Sequence, residues 1–484
     1  MRYVLAIDQS TSSTKAILFD EEARLVKRCN IDHKQIHPQA GWLEHDPIEI
    51  YENTIKAMRE VTSDINREQV EAVAVTNQRE TTMLWDANTG RPIQNAIVWQ
   101  CGRAETITKR KSILDMQDAI AQKTGLKLSP YFSAAKACWI IENADVSGKS
   151  LMFGTMDAWL VWKLTGNHAT DFSNASRTQL FNINECKWDD ELVALFGLKD
   201  TKMPEVKFSD EIFGMTTAEG LFNNPVPVSG VMGDSHGALF GQQCWKRGMG
   251  KCTFGTGSSV MMNIGDKPIA SKNNLATSVA WGIGGKIEYV FEGNINSTGD
   301  TIMWLVNELG ILPDSKMSEE YARKVPSSQG VYLVPAFMGL GAPYYKSEAR
   351  AIIAGLFRDA NKYHIVRAAL EAIAYQIKDI VDLMLKDAEI SFEELRVDGG
   401  PTNNTLLMQF VADMLNLRII KNEIEELSAL GSAYAAGLAT GIYKDRESLA
   451  GLYRVNGEYQ RQMDEKTAAG LYDGWKLAIK KALI

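Results

Sequence analysis

The sequence predicts an α/β protein in two related halves, and three observations carry that reading. A short apolar run, Tyr3 to Ile7, passes through the hydroxyl-rich stretch Asp8-Gln9-Ser10-Thr11-Ser12-Ser13-Thr14 into a second apolar run, Ala16 to Phe19, which is the pattern of a hairpin. The same figure returns about half the chain later. There Lys251 to Phe254 lead through Gly255-Thr256-Gly257-Ser258-Ser259 into Val260 to Ile264. Between and after the two hairpins, strand-like and helix-like runs alternate, as they do in α/β folds.

The elements follow in chain order. Val70 to Val75 and Ser150 to Phe153 read as strands, and the apolar spacing of Trp159 to Leu164 fits a helix. Val226 to Met232 is a strand leading into the small-residue segment Ala238 to Gly241. Tyr363 to Met384 is apolar at i, i+3, i+4, i+7 and predicts a long amphipathic helix. The strand ending at Val397 runs into Asp398-Gly399-Gly400-Pro401-Thr402-Asn403-Asn404, and a helix opens over Leu406 to Val411. Ser428 to Gly441, rich in Ala and Gly, suits a helix packed closely on a sheet. No low-complexity linker separates the halves. The boundary is expected near 243–250, giving domains 1–243 and 244–484.

Composition excludes several classes. The chain has 484 residues, with 52 Lys+Arg against 60 Asp+Glu, a net charge of −8 that gives no basis for nucleic-acid binding. With 45% hydrophobic residues there is ample material for a core, and length points to roughly two or three domains. No apolar run reaches the ~18 residues of a membrane span, and the N-terminus lacks a cleavable leader pattern. The six cysteines are scattered without a C-x-x-C pair, so the expectation is free thiols in a cytoplasmic protein.

Candidate chemistry gathers at strand ends. The turns at Thr11, Ser12 and Ser13 and at Thr256, Gly257 and Ser258 offer hydroxyls and consecutive N–H groups that can cradle phosphate oxygens, ordinary turns being the alternative. Asp8 adds a carboxylate suited to Mg²⁺, directly or through water. The double glycine at Gly399-Gly400 lets a flat ring or phosphate approach the backbone before a helix start. Gly233-Asp234-Ser235-His236-Gly237 matches G-x-S-x-G, but the one later histidine, His364, opens an amphipathic helix, and no His-Gly-Gly loop precedes the motif. The better reading makes Asp234 the active group, a carboxylate at a strand end able to take a proton from a substrate hydroxyl, with a helix cap as the alternative. Arg79 and Glu80 offer a donor fork and an acceptor suited to a vicinal diol, or a plain salt bridge. Trp99 and Tyr131 are candidate apolar walls, or core.

These segments together resemble the FGGY carbohydrate kinases, and within them the glycerol kinases, over essentially the whole chain. The likeness lies in DQSTSSTKA, GWLEHDP, TNQRETTMLWD, NAIVWQC, YFSAAKACWIIEN, FGTMDAWLVWKLTG, PAFMGLGAPYYKSEARAIIAGL and VDGGPTNNTLLMQ, in that order. The resemblance implies two ribonuclease H-like domains of the actin and sugar-kinase type closing over a central cleft. The first would carry the acceptor site and first phosphate loop, the second the nucleotide site. It implies ATP and Mg²⁺, with Asp8 holding the metal, Thr11 and Ser12 facing the phosphates, and Thr256 contacting the transferred group. Gly299 would border the nucleotide, and Gly400 and Asn404 would contact adenine. Arg79, Glu80, Trp99, Tyr131 and Asp234 would line the acceptor site, with Asp234 as base. A homo-oligomer, dimer or tetramer, is expected.

The chain also departs from its resemblance. Ser235 and His236 stand where glycerol kinases usually have Gln-Gln, and Ser259 stands where they have Phe; Ser10 replaces a Gly and Lys15 an Arg. Smaller side chains at Ser235 and Ser259 predict an enlarged, more polar acceptor pocket. The expected activity is therefore ATP-dependent phosphorylation of a terminal hydroxyl of a small polyol or sugar, of perhaps four or five carbons, with glycerol kinase proper as the alternative.

Overall fold

The computed structural model describes residues 1–392 and 394–484. Among these residues two large sheets carry the architecture. The first contains β1 (Tyr3–Gln9), β2 (Ser13–Asp20), β3 (Leu25–Asp32), β4 (Val70–Asn77), β5 (Ile212–Thr216) and β6 (Val226–Gly233), in the order β5-β6-β4-β1-β2-β3. The second contains β7 (Gly250–Phe254), β8 (Ser258–Gly265), β9 (Ala276–Ile283), β10 (Lys286–Ile295), β11 (Glu394–Asp398), β12 (Arg418–Asn422) and β13 (Val455–Tyr459), in the order β9-β10-β8-β7-β11-β12-β13.

The two sheets repeat one topology. In the first, β1 pairs antiparallel with β2 and parallel with β4, β2 pairs antiparallel with β3, and β4 pairs parallel with β6. In the second, β7 pairs antiparallel with β8 and parallel with β11, β8 pairs antiparallel with β10, and β11 pairs parallel with β12. The duplicated hairpin is therefore a duplicated sheet, and the expected two-domain sugar-kinase fold is the one observed. Strands β1 and β4 read as continuous apolar runs because layers cover both of their faces. Such parallel strands bring their C-terminal ends to one rim, where Asp8, Asn77 and Gly233 come together.

The helices fall into place around the sheets. α1 (Pro47–Val61) starts at Asp46, whose side chain accepts from the Ile48 N–H, with Pro47 in the first turn. α2 (Ser133–Asn143), α3 (Met156–Thr165) and α4 (Asp234–Gly241) serve the first half, and α5 (Gly299–Asn307) follows β10. α6 (Lys362–Ala388) is the long helix the periodicity predicts, opened by a capping box between Asn361 and His364. α7 (Thr405–Leu415), α8 (Leu427–Ala439) and α9 (Glu465–Ala482) follow in the second half, and shorter helices lie between these.

The Ala/Gly-rich segment does pack closely, but on the other half's sheet. α8 lies against α4 and over β6, β4 and β1. A Cβ on Gly431 would stand 1.9 Å from the Gly237 carbonyl oxygen, so the two helices cross backbone to backbone. One core cluster accordingly joins Val4, Ala6, Ile17 and Phe19 to Phe240, Trp281 and Tyr434, residues of both halves.

Two boundaries differ from expectation. Ser258 and Ser259 are already strand, pairing with Phe254 and Thr253, so the second turn is only Gly255 to Gly257. Ser13 likewise opens β2 and pairs with Asp32 of β3. No helix among the described residues is long and apolar enough to cross a membrane.

Candidate active site

The acceptor motifs converge at the rim of the first sheet. Beyond β4 the chain turns sharply: the Thr81 N–H donates to the Arg79 carbonyl at 2.7 Å, closing a γ-turn on Glu80 at φ 62°. A left-handed non-glycine residue is strained, and here the turn aims two consecutive charged side chains into one cleft. Asp234, at the end of β6, opens α4. Its Oδ1 accepts the Ser235 N–H at 2.6 Å and stands 3.2 Å from Arg79 Nε, and its side chain is 37% exposed. The N-cap position itself is Gly233, so Asp234 stands in the first turn of α4, where one carboxylate oxygen serves a backbone N–H and the other does not.

The Arg79 fork does not face open space. Its Nη1 and Nη2 donate to Glu292 Oε2 and Oε1 at 2.9 and 2.8 Å, so the fork expected to greet a diol is already occupied. Arg177 Nε donates to Glu80 Oε1 at 2.6 Å, and its Nη1 stands 2.9 Å from Glu292 Oε2 without hydrogen-bond alignment. Burial works against charge on Arg79, but Glu292, Glu80 and Asp234 outweigh it and hold its pKa well above the usual range. Burial likewise opposes ionised Glu292, but Arg177 and Arg79 prevail and keep its pKa well below the carboxylate norm. Glu80 goes the other way: burial pushes its carboxyl up, and the arginines only partly oppose this. Among the described residues no hydrogen bond ends on Glu80 Oε2 or Asp234 Oδ2, which leaves two carboxylate oxygens ready to accept from hydroxyls.

Trp99 and Tyr131 stand edge to face, ring centroids 5.5 Å apart, as a wall beside this cluster. The wall is braced by Lys136 on α2. Its fully buried ammonium donates to the Pro130, Tyr131 and Phe132 carbonyls, and burial pushes its pKa down to about 7. Ser235 and Ser259 are half-buried near the cluster, and Ser259 Oγ donates to Glu292 Oε1 at 3.3 Å. His236 is fully buried and pairs with Ser278 rather than Ser235, so no Ser–His dyad forms.

The first turn is tied to this wall by side chains. Trp99 Nε1 donates to Thr11 Oγ1 at 3.0 Å. His33 and Gln35 meet the Thr11 carbonyl at 3.0 and 2.9 Å. Ser10 Oγ donates to the Ser13 carbonyl at 2.9 Å and lies 3.2 Å from Ser13 Oγ, which turns the Ser13 hydroxyl into the hairpin instead of outward. Ser12 is exposed, and no hydrogen bond among the described residues uses the Thr11 or Ser12 N–H.

The second turn is held by backbone. Gly255 N–H donates to the Gly257 carbonyl, and the Thr298, Gly299 and Asp300 N–H groups donate to the Thr256, Gly255 and Thr256 carbonyls at 2.9 to 3.1 Å. Gly299 is thereby a seat for this turn: a Cβ on it would stand 2.6 Å from the Gly255 carbonyl oxygen. Thr256 is exposed at the tip, and its N–H and that of Gly257 take no partner in the described structure. Past β11, the loop at Gly399 rests on the end of β7, and a Cβ on Gly400 would meet no protein atom within 4 Å. Asn404 caps α7, accepting from Leu407 N–H at 2.9 Å and reaching Ser318 Oγ at 3.3 Å with its amide.

Asp8 lies buried at the end of β1. Burial, with Glu426 and Asp234 near it, pushes its carboxyl up to about 7 against the pull of Lys15, whose Nζ is 3.7 Å away. A crowded carboxylate of this kind gains from a cation. Among the described residues no three His, Cys, Asp or Glu side chains gather as a metal cage. The donor set thus fits Mg²⁺, which is bound through one or two carboxylates together with water and substrate phosphates, and does not fit a protein-only metal centre.

Sequence reasoning missed Glu292, Arg177, Lys136 and the His33, Gln35 and His45 set. A signal existed for Glu292, the lone charge in the otherwise uncharged run Tyr289 to Ile295. Arg177 gave none, since its partners are distant in sequence.

Comparison with known proteins gives the family. Residues 3–241 match the N-terminal domain, and residues 250–440 the C-terminal domain, of the FGGY family of carbohydrate kinases. The chain is 48% identical to glycerol kinase 1 of Thermotoga maritima, covering 99% of each protein, and 46% identical to the glycerol kinase of Carboxydothermus hydrogenoformans over 99% of this chain and 98% of that one. The crystal structure of Plasmodium falciparum glycerol kinase with ADP superposes with a TM-score of 0.94 at 35% identity, covering 100% of this chain and 99% of the other. A xylulose kinase from Lactobacillus acidophilus shares the fold, with a TM-score of 0.90 at 20% identity.

Proposed function

This chain belongs to the FGGY family of carbohydrate kinases, an ATP-dependent kinase family, and on that premise we propose that it phosphorylates a terminal hydroxyl of glycerol. The observation that carries the reading is convergence by contact. The first turn reaches the acceptor wall through Thr11 and Trp99, and the strand leaving the second turn reaches it through Ser259, Glu292 and Arg79, ending at Asp234.

In this reading, Glu80 Oε2 and Asp234 Oδ2 accept from two neighbouring hydroxyls of the polyol and set its orientation. Trp99 and Tyr131 exclude water from its carbon side. Asp234 takes the proton of the attacking hydroxyl as the hydroxyl oxygen bonds to the γ-phosphorus and the bond from that phosphorus to the bridging oxygen breaks, releasing ADP; the base is worth roughly 10²–10⁴-fold in rate. Free N–H groups at Thr11, Ser12, Thr256 and Gly257 face the charge that spreads over the phosphoryl oxygens. Thr256 is the hydroxyl nearest the transferred group. The exposed backbone at Gly400, before the helix that Asn404 caps, takes the adenine. Asp8 would hold Mg²⁺, which supplies charge neutralisation on the phosphates. The protein is read as cytoplasmic and as a homo-oligomer, with its domains parted near 243–250.

A longer acceptor is the second reading, and Ser259 favours it. Its hydroxyl serves Glu292, and no ring stands at that position to press on a three-carbon chain. Initial rates with Mg-ATP across glycerol, tetritols, pentitols and ketopentoses decide. The proposal expects the highest kcat/KM with glycerol. A tetritol, pentitol or ketopentose that exceeds glycerol establishes the second reading, and a pocket too large by one methylene costs about 10–200-fold.

A further inference from the structure

Glu292 lies on β10, in the half of the molecule opposite the acceptor motifs, and its side chain is wholly buried. It takes both terminal nitrogens of Arg79, stands 2.9 Å from Arg177 Nη1, and accepts from Ser259. Arg79 is left with Nε alone toward Asp234, 3.2 Å from Oδ1.

An arginine fork matches a carboxylate through two parallel N–H···O bonds. Arg79 has two carboxylates in reach and gives its fork to one. Turned the other way, the fork would cover both oxygens of Asp234, including the one that has to receive the acceptor's proton. Two arginines, Arg79 and Arg177, stand among three carboxylates, Glu80, Glu292 and Asp234. Removing the charge of Glu292 leaves two cations and two anions. The pairing that remains is Arg177 with Glu80, which already exists, and Arg79 with Asp234.

We infer that Glu292 is a positioning residue: from the second half of the molecule it holds the Arg79 fork away from Asp234, so Oδ2 stays open to the acceptor hydroxyl while the halves are in contact. This rests on the reading of Asp234 as the base. It also makes orientation of the acceptor depend on a residue delivered across the cleft.

The test compares Glu292→Gln, which keeps shape and removes charge, with Glu292→Asp, which keeps charge and shortens the reach. Each is measured for melting temperature, for kcat and KM with glycerol and Mg-ATP, and by crystallography of the full chain. The expectation for a folded Glu292→Gln is a kcat loss of at least about 30-fold, short of the roughly 10²–10⁴-fold of a base removed outright because Asp234 itself remains, with the KM for ATP changed less than about threefold. Its crystal structure should show Arg79 fork-on to Asp234, and Glu292→Asp should recover part of the rate. A folded Glu292→Gln with parent-like kcat, or with Arg79 unmoved, overturns the inference. If Glu292→Gln does not fold, Glu292→Asp decides by rate and crystal structure together: a kcat that follows the fork, parent-like with Arg79 on the shortened carboxylate and lowered with Arg79 on Asp234, supports the inference, and any other combination overturns it. A parent inactive on every polyol would overturn the functional reading instead, and the place of Arg79 in the Glu292→Gln crystal would still decide this one.

Discussion

At the first turn, Ser10 Oγ bonds to Ser13, Trp99 bonds to the Thr11 hydroxyl, and His33 and Gln35 hold the Thr11 carbonyl. At the second turn, among the described residues, the side-chain link is one hydroxyl pair at its edge, Ser258 with Thr298 at 2.8 Å, and the turn itself is held by backbone. Amides of Thr298, Gly299 and Asp300 grip the turn's carbonyls, and a Cβ on Gly257 would stand 2.4 Å from the Ile295 carbonyl oxygen. The two turns occupy equivalent places in equivalent sheets. One is shaped by polar side chains backed by a buried network, the other by the close fit of bare backbone. They should therefore fail in different ways.

The largest effect is expected at the second turn. Gly257→Ala forces the turn away from β10, and a shift of about 1 Å in a catalytic group costs on the order of 10²-fold in rate. Steady-state kinetics should show that loss with a melting temperature close to the parent. Parent-like kcat would mean that the turn is not held by backbone fit.

The first turn should break through acid instead. His45 is fully buried, meets Gln35 and Gln78 through its two ring nitrogens at 3.0 and 3.1 Å, and stacks edge to face on His33. Burial, with His33 beside it, pushes its pKa down from 6.5 to about 3. Between those values the unfolded chain binds a proton that the folded chain refuses. Stability is thus full above pH 6.5 and is lost as pH falls toward 3, by about 2 kcal/mol between pH 6.5 and 5. Urea titrations across that interval should show the slope, and His45→Gln should flatten it by this amount. A variant whose stability falls with acid as steeply as the parent's would remove His45 from the account.

What could be read from sequence follows the same division. Asp8, Arg79, Glu80 and Asp234 were legible as candidates because they lie at or just beyond the ends of apolar strands, and parallel strands deliver their ends to one rim. The turns were legible as hydroxyl- and glycine-rich breaks between apolar runs. Glu292 and Arg177 were not, because their meaning arises only when the second sheet meets the first. The helix α8 was legible as a close-packing segment, yet its sheet was not, since nothing local says that a late helix crosses onto an early sheet. The expected outward role of Ser13 was lost to Ser10, whose single hydroxyl draws it inward.

The most direct test of the account is single-turnover phosphoryl transfer from ATP to glycerol by Asp234→Asn. The substitution keeps the shape at the end of β6 and removes the oxygen basicity on which both turns converge. The account predicts ATP affinity and melting temperature near the parent's, with transfer slowed roughly 10²–10⁴-fold. A folded variant that keeps more than about a tenth of the parent rate would contradict it.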